Sequence, residues 1–503
     1  MKKFTLASLR TTSGSQRQRL AILSLSIVLV LAGCSVGPDY KRPATPVPTA
    51  YTETPALPMA DATIPAQTYV QQDIPAAWWQ AFHSDALNAL IQQSLAHNPS
   101  VAIAQANLKQ ALENVKAQQA AFFPSVSVDY NPTRQRIASP LASPLASNAY
   151  VYNLHTAQLN ASYTLDVWGA NRRQVEALQA EADANRYTIE VTYLTLISNV
   201  VNAAIQEAVL REQIRLTEDS IARQRELTDI TRKARALGQM SDNDMATQEA
   251  AQAAAEAALP PLQKQLAIQR DLIKSLAGVY PGEHLAAQFT LEQLTLPSEL
   301  PQALPSSLLE RRPDIRVAEA MLHSASANVG IAVANRLPEF SLSANLGSSA
   351  EKFADLFKSL TKFWTVGANA TEPLFDGGAL KHRERAARAA FEGAAAQYQS
   401  TVIAAFQNVG DVLQSVQADQ AGYVTAVHAA NASNKSLTLA RKQYQLGDIS
   451  RSALLPIEQA DLQSKLSMAQ AQGNRLQDSA ALFQALGGGW WPTLSSTSTD
   501  KAP

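Results

Sequence analysis

Residues 157–167 read Ala157-Gln158-Leu159-Asn160-Ala161-Ser162-Tyr163-Thr164-Leu165-Asp166-Val167, and this stretch decides the fold. Apolar side chains at odd positions alternate with polar ones at even positions, the period of a strand with one apolar and one polar face. A second stretch sets Trp364, Val366, Ala368 and Ala370 against Thr365, Gly367, Asn369 and Thr371, and shorter alternating runs cover Val126 to Tyr130 and Phe340 to Leu346. Four two-faced strands are expected. A soluble hairpin that lays its apolar face on a core would give the same pattern, so the surroundings of the strands have to decide.

The N-terminus supplies the first decision. A leader with Lys2, Lys3, Arg10, Arg17 and Arg19 precedes an apolar run from Leu20 to Leu31, which is too short and wrongly flanked for a stable membrane span. The run closes on Leu31-Ala32-Gly33-Cys34, a lipobox around the only cysteine of the chain. A lone thiol forms no internal disulfide in an oxidising compartment. Cys34 is therefore read as the lipidation site, behind a signal peptide over residues 1–33. Ser35, where aspartate would argue for inner-membrane retention, points to the outer membrane of a Gram-negative envelope.

Charge excludes one class of partner. With 42 basic and 43 acidic residues the net charge is −1, so there is no electrostatic footprint for nucleic acid. After Cys34 no apolar run reads as a membrane helix, which leaves strands to make any crossing. Four strands cannot close a barrel, and each unpaired backbone group at an open edge costs several kcal/mol in hydrocarbon. The chain is thus expected to assemble with copies of itself. Three copies give twelve strands, enough to enclose a lumen wider than that of an eight-stranded barrel, which its own side chains fill.

The chain is also one unit written twice. Pro124 follows Pro99 by 25 residues, and Pro338 follows Pro313 by the same step. Leu165-Asp166-Val167-Trp168-Gly169 matches Leu374-Phe375-Asp376-Gly377-Gly378, and Ala236-Leu237-Gly238 matches Gln445-Leu446-Gly447, both at an offset of 209. An internal duplication of strand hairpin and helical hairpin accounts for this. From Asn171 to Ala236 there is no proline, and Leu194, Ile197, Val201, Ala204, Ile205 and Ala208 mark an apolar stripe at helical spacing. A continuous helix here spans ~100 Å at ~1.5 Å per residue. Ala379 to Tyr444 repeats the pattern, and returning helices are expected over Ser241 to Ala277 and Ser450 to Leu486. Pro260-Pro261 should break or kink the first returning helix, whereas Ala469-Gln470 lets the second run through. The expected organisation is signal peptide 1–33, lipidated Pro-rich tether 34–75, first repeat 76–280, linker 281–305, second repeat 306–490 and a disordered tail 491–503.

These features together resemble the outer-membrane channel lipoproteins of tripartite efflux pumps, the TolC-like outer membrane factors of the NodT branch. The resemblance is carried by Cys34-Ser35-Val36-Gly37-Pro38-Asp39-Tyr40 with Pro43, and by Trp78-Trp79 to Phe82 leading to Asn98-Pro99. The two Pro-ended repeats and Phe483-Gln484-Ala485-Leu486-Gly487-Gly488-Gly489-Trp490-Trp491 complete it. It implies a mixed α and β fold: a homotrimeric outer-membrane β-barrel, four strands per chain, continued by a long periplasmic α-helical barrel built from two repeats. It further implies partners in a periplasmic adaptor and an inner-membrane transporter, and an iris-like gate at the periplasmic tip of a passive exit duct for drugs or other small toxic solutes.

The family's tip pattern falls on Tyr444, Gly447 and Leu454-Leu455-Pro456, with Pro456 where the family often places an aspartate ring. Acids nearby are Asp448, Glu458 and Asp461, with Asp242 and Asp244 beside Gly238 in the matching turn. They can line the gate, or simply favour helix N-termini. Arg451 is expected to be partly exposed and paired with Asp448 or an acid of the neighbouring turn, a weaker hold than the packing of Leu454 and Leu455 with Tyr444.

No catalytic constellation accompanies this. The seven histidines are scattered without metal-ligand spacing, and no zinc protease motif, phosphate loop or nucleophile elbow occurs. Neither an enzyme nor a metal site is expected, and the only prosthetic group is the lipid on Cys34. The remaining alternative to a channel is a structural envelope lipoprotein without a conducting lumen, which has no use for a lipid-facing apolar face on its strands.

Overall fold

The computed structural model describes residues 35–43, 50–51, 66–71, 74–136, 150–301 and 305–489. The signal peptide, Cys34, Trp490, Trp491 and the tail 491–503 lie outside the described residues. In chain order the elements are β1 (Thr68–Val70), α1 (Asp85–His97), α2 (Pro99–Gln119), β2 (Ser125–Arg136), β3 (Val151–Leu165), α3 (Ala170–Ala236), α4 (Asp242–Leu276), β4 (Glu299–Pro301), α5 (Pro305–Arg311), α6 (Pro313–Ala334), β5 (Glu339–Ala350), β6 (Lys362–Thr371), α7 (Ala379–Leu446) and α8 (Arg451–Ala485). Prolines open α2, α5 and α6, where a missing N–H costs nothing. The two returning helices, α4 and α8, are each 35 residues long and start 209 positions apart, so the duplication fixes their length as well as their place.

The chain forms two compact units, residues 1–42, 109–183 and 320–396 in one and the rest in the other. The first holds a four-stranded antiparallel sheet in the order β2-β3-β5-β6. All four predicted strands are present and longer than their alternating cores. Asp166 ends β3 and opens α3, its carboxylate accepting from the backbone N–H of Asn171 and Arg172. Asp376 does the same for α7 through Gly378 and Leu380. The N–H of Leu380, then that of Gly378, holds the Asp376 carboxyl below its ordinary range although burial works the other way.

The second unit is built on the helical hairpins. Along α3, Thr217, Ile221, Gln224, Thr228 and Thr231 are buried at alternating steps of four and three, a coiled-coil seam with polar residues in core positions. Trp78, 1% exposed, stacks on Phe483 with ring centroids 5.4 Å apart. Phe82, Phe289, Leu300 and Leu308 are fully enclosed in the same unit.

Three expectations need correction. Pro260 and Pro261 lie inside α4 without breaking it. Both are exposed; the carbonyls that lose their N–H partners are those of Glu256, half-buried, and Ala257, exposed, so water can take up at least the second and the flanking bonds carry the helix on. The tether is docked over its described residues: β1 pairs parallel with β4, the Gln67 amide donates to Pro297 O and Ser479 Oγ, and Ile74 is buried. Burial pushes the Tyr51 phenol up to about 12. Finally, one helix, α3, is long and apolar enough to cross a membrane by length and composition. Val200, Val201, Ala204, Ile205, Ala208 and Val209 on it are enclosed by protein, so its apolar character serves packing.

Candidate functional site

Pairing in the sheet turns sequence alternation into two continuous faces. Directly opposed residues of antiparallel strands share a face, and one face collects Val126, Val128 and Tyr130 of β2 with Ala157, Leu159, Ala161, Tyr163 and Leu165 of β3. It continues through Phe340, Leu342, Ala344 and Leu346 of β5 to Trp364, Val366, Ala368 and Ala370 of β6. Val128 is 77% exposed and Trp364 75%. An exposed apolar area of this extent marks a surface built for lipid. At its outer end Tyr130 OH bonds His155 Nδ1 at 2.9 Å, and Phe353 packs edge-on against both rings, an aromatic group of the kind enriched at membrane interfaces. The opposite face carries Ser127, Asn160, Asn345 and Thr365 in one row and Ser125, Ser162, Ser343 and Gly367 in the next.

The lipobox lies outside the described residues, but the chain just after it is fixed in the first unit. Val36 N–H donates to Trp168 O at 3.1 Å, and Arg173 reaches Asp39 and Glu176, each at 2.7 Å. Glu176 also meets His323 Nε2 at 2.9 Å, and Tyr40 stacks on the His323 ring at 4.3 Å. The motif that carried the resemblance, Val36 to Tyr40, is thus a structural clasp. Its partners Arg173, Glu176 and His323 gave no signal in the sequence.

At the helical tips the two repeats share one backbone solution. Gly238 N–H donates to Arg235 O and Gln239 N–H to Ala234 O; Gly447 N–H donates to Tyr444 O and Asp448 N–H to Gln443 O. These are paired Schellman turns with glycine in the left-handed region, φ +74° and +81°. Each is followed by a serine N-cap, Ser241 or Ser450, three residues on. Asp244 forms a capping box with Ser241, and Asp242 pairs with exposed Arg235 at 2.6 Å. The acids of the first turn are thereby occupied as helix N-terminal groups.

Leu454 is buried with Leu437 and Ala440, and Tyr444, Ile449 and Ile457 pack around them. Leu455 is 7% exposed. Pro456 is exposed on α8, and Asp448 is exposed as well. Arg451 departs from expectation. It is 4% exposed, and it pairs with Glu458 rather than Asp448, Nη2 to Oε2 at 2.8 Å. Its Nε donates to Gln248 Oε1 at 2.9 Å and its Nη2 to Gln224 Oε1 at 3.3 Å. Gln248 is fully buried and donates in turn to Gln224 Oε1 and Thr228 Oγ1. Glu458 is also within 3.4 Å of Arg441. The physical reason is reach: Asp448 sits in the turn toward water, whereas Glu458 lies two helical turns along the same face of α8 as Arg451. Gln224 and Gln248 were missed, although polar residues on an apolar helical stripe are a legible sign of a buried partner.

A lipid-facing sheet that cannot close within one chain, together with helical hairpins of duplicated design, defines an outer-membrane efflux channel. The family model for outer membrane efflux proteins matches residues 90–279 and 304–488, and the chain belongs to that family. It is 29% identical to the probable efflux pump outer membrane protein TtgC of Pseudomonas putida, over 94% of this chain and 96% of that one. It is 26% identical to outer membrane protein OprJ of Pseudomonas aeruginosa, over 94% and 97%. Among solved structures, the outer-membrane channel OprN superposes with a TM-score of 0.81 at 28% identity, covering 91% of this chain and all of that one. VceC of Vibrio cholerae gives 0.76 at 27%, covering 83% and 100%. The protein works in the outer membrane as a homotrimer, with a periplasmic adaptor and an inner-membrane transporter.

Proposed function

We propose that this channel is a passive, non-enzymatic duct, lipidated on Cys34, whose periplasmic end is shut by the link between its two helical hairpins. The observation that carries the reading is the buried position of Arg451 on α8 among Gln224 of α3, Gln248 of α4 and Glu458. Leu454 packs chiefly against Leu437 and Ala440 of its own hairpin. It stiffens one hairpin, whereas Arg451 ties two together. Opening an iris requires hairpins to part, so the tie rather than the leucine packing sets the resting state. Breaking a buried pair from one side costs up to ~3–5 kcal/mol when the charge left behind has no other partner; here Arg441, 3.4 Å from Glu458, lowers that cost. The aspartate ring that Pro456 replaces is then unnecessary for closure.

Single-channel recording of the purified trimer tests this. Arg451→Ala should raise resting conductance well above that of Leu454→Ser with Leu455→Ser, and high salt should leave wild-type closure intact because the pair is buried. Wild-type-like closure in Arg451→Ala would return the seal to the leucines. Cys34→Ala behind a substitute signal should lose lipid labelling and keep outer-membrane association through the barrel.

A further inference from the structure

Three rows of the polar face cross all four strands, and the outermost is unlike the other two. It reads Asp129, Gln158, Gly347 and Phe363 across β2, β3, β5 and β6. The other two contain only serine, asparagine, threonine and glycine. On the polar face of those rows Asp129 is the one charged residue and Phe363 the one aromatic. Lys362, beside Phe363 in sequence, belongs to the opposite face.

The two residues are brought closer than their strands. A Cβ on Gly347 would lie 2.7 Å from Phe363 Cζ and 2.8 Å from Gln158 Cβ. The tip of the Phe363 ring therefore lies over Gly347, toward β3. A ring that covers a strand glycine is a familiar stabilising pair, which explains its packing but not the choice of an aromatic on a face otherwise made of hydroxyls and amides. Asp129 Oδ2 accepts from Asn160 Nδ2 and from Ser127 Oγ at 3.4 Å, both neutral donors. No ion pair is formed by Asp129 among the described residues, so its carboxylate stands on the polar face without a cationic partner there.

We propose that the Asp129–Phe363 row is a selectivity band for lipophilic organic cations in the outer part of the barrel lumen. The inference rests on the trimeric channel in which the polar face turns inward. Threefold symmetry then places the three carboxylates at one height and the three rings at another, roughly 8–10 Å apart because the strands of a barrel tilt, so the two rings of groups bound one short stretch of the lumen. A carboxylate supplies long-range attraction for a cation and the ring face adds cation–π and apolar contact. A small inorganic cation gains only from the first, a lipophilic anion only from apolar contact and against repulsion, so an organic cation with an apolar body is favoured over both.

The test is block of single-channel current by tetraphenylphosphonium added on the outer side, with tetraphenylborate as its charge-reversed isostere, on the full-length trimer in planar bilayers. Wild type should be blocked by the cation at lower concentration than by the anion. Phe363→Thr and Asp129→Asn should each weaken cation block by about threefold to thirtyfold. Phe363→Tyr should keep it, and the anion should block Asp129→Asn better than wild type. If Phe363→Thr fails to assemble, Asp129→Asn and Phe363→Tyr decide, since both preserve the ring over Gly347. Equal block by the two ions in wild type, or unchanged cation block in Asp129→Asn, overturns the proposal while leaving the channel intact. Absence of any current from the wild type and from Arg451→Ala overturns the channel reading and this one with it.

Discussion

The tip of the first hairpin and the tip of the second are copies in backbone and opposites in chemistry. Gly238 and Gly447, Ser241 and Ser450, and then Asp242 and Arg451 occupy positions 209 apart. Glycine and serine are retained because the backbone demands them: a left-handed residue to end one helix and a cap to begin the next. The residue after the cap is under no such demand. Asp242 sits at a helix N-terminus with the favourable sign and, among the described residues, pairs with exposed Arg235, a pair worth ~0–1 kcal/mol. Arg451 sits in the equivalent place with the unfavourable sign, and its burial against Glu458, Gln248 and Gln224 compensates. The difference teaches that duplication copies the turn while a single charge reversal converts one tip into the part that grips the other.

The comparison breaks most visibly at Arg451. Arg451→Ala should cost up to ~3–5 kcal/mol in trimer stability, the upper end being lowered by Arg441 beside Glu458, read as loss of heat resistance on semi-native gels, while Asp242→Ala should cost less than ~1 kcal/mol. Equal effects would mean that the two tips do the same work. Next comes Leu454→Ser, which removes a side chain 2% exposed at a cost of ~2–5 kcal/mol. Because its packing is within one hairpin, hydrogen exchange should quicken in the 437–457 tip and not in the 228–248 tip; acceleration in both would refute the assignment of Leu454 to one hairpin.

Smaller still, Gly238→Ala and Gly447→Ala should cost ~1–2 kcal/mol each and alike. A Cβ at either position meets nothing within 4 Å, so only backbone strain remains. Unequal losses would show that the two turns differ in ways their hydrogen bonds do not reveal. The smallest effect concerns Asp478, which stands on α8 where α4 carries Gln269. Burial, with the charge of Asp419 adding to it, pushes the Asp478 carboxyl up to about 7. A carboxyl raised on folding is protonated in the native state at low pH, and stability falls as pH rises from about 4, the unfolded value, to about 7. Asp478→Asn, which gives α8 the neutral amide of α4, should therefore raise the unfolding midpoint by roughly 2 °C or more at pH 8 and by less at pH 4. An equal gain at both pH values would assign the effect to packing.

The amino-acid sequence alone determined what is periodic or local. Alternation in Ala157 to Leu165 fixed which side chains share a face, since a strand has a period of two whatever surrounds it, while Asp166 and Val167, which continue the pattern, lie past the strand's end. Proline-free stretches and the Gly and Ser of the tips fixed the helices and their ends, and the lipobox marked the destination. Tertiary structure decided what depends on a distant neighbour. Arg451 looked like a surface cation because its partners Gln224 and Gln248 lie 227 and 203 residues away, and no local pattern encodes such a meeting. The tether looked free because Thr68–Val70 finds its strand partner only in Glu299–Pro301. Pro260 and Pro261 looked like a break because the sequence does not tell whether water can reach the carbonyls they abandon. Backbone preference acts within a few residues and is written along the chain; burial and charge pairing act across space, and only the folded chain sets which groups meet.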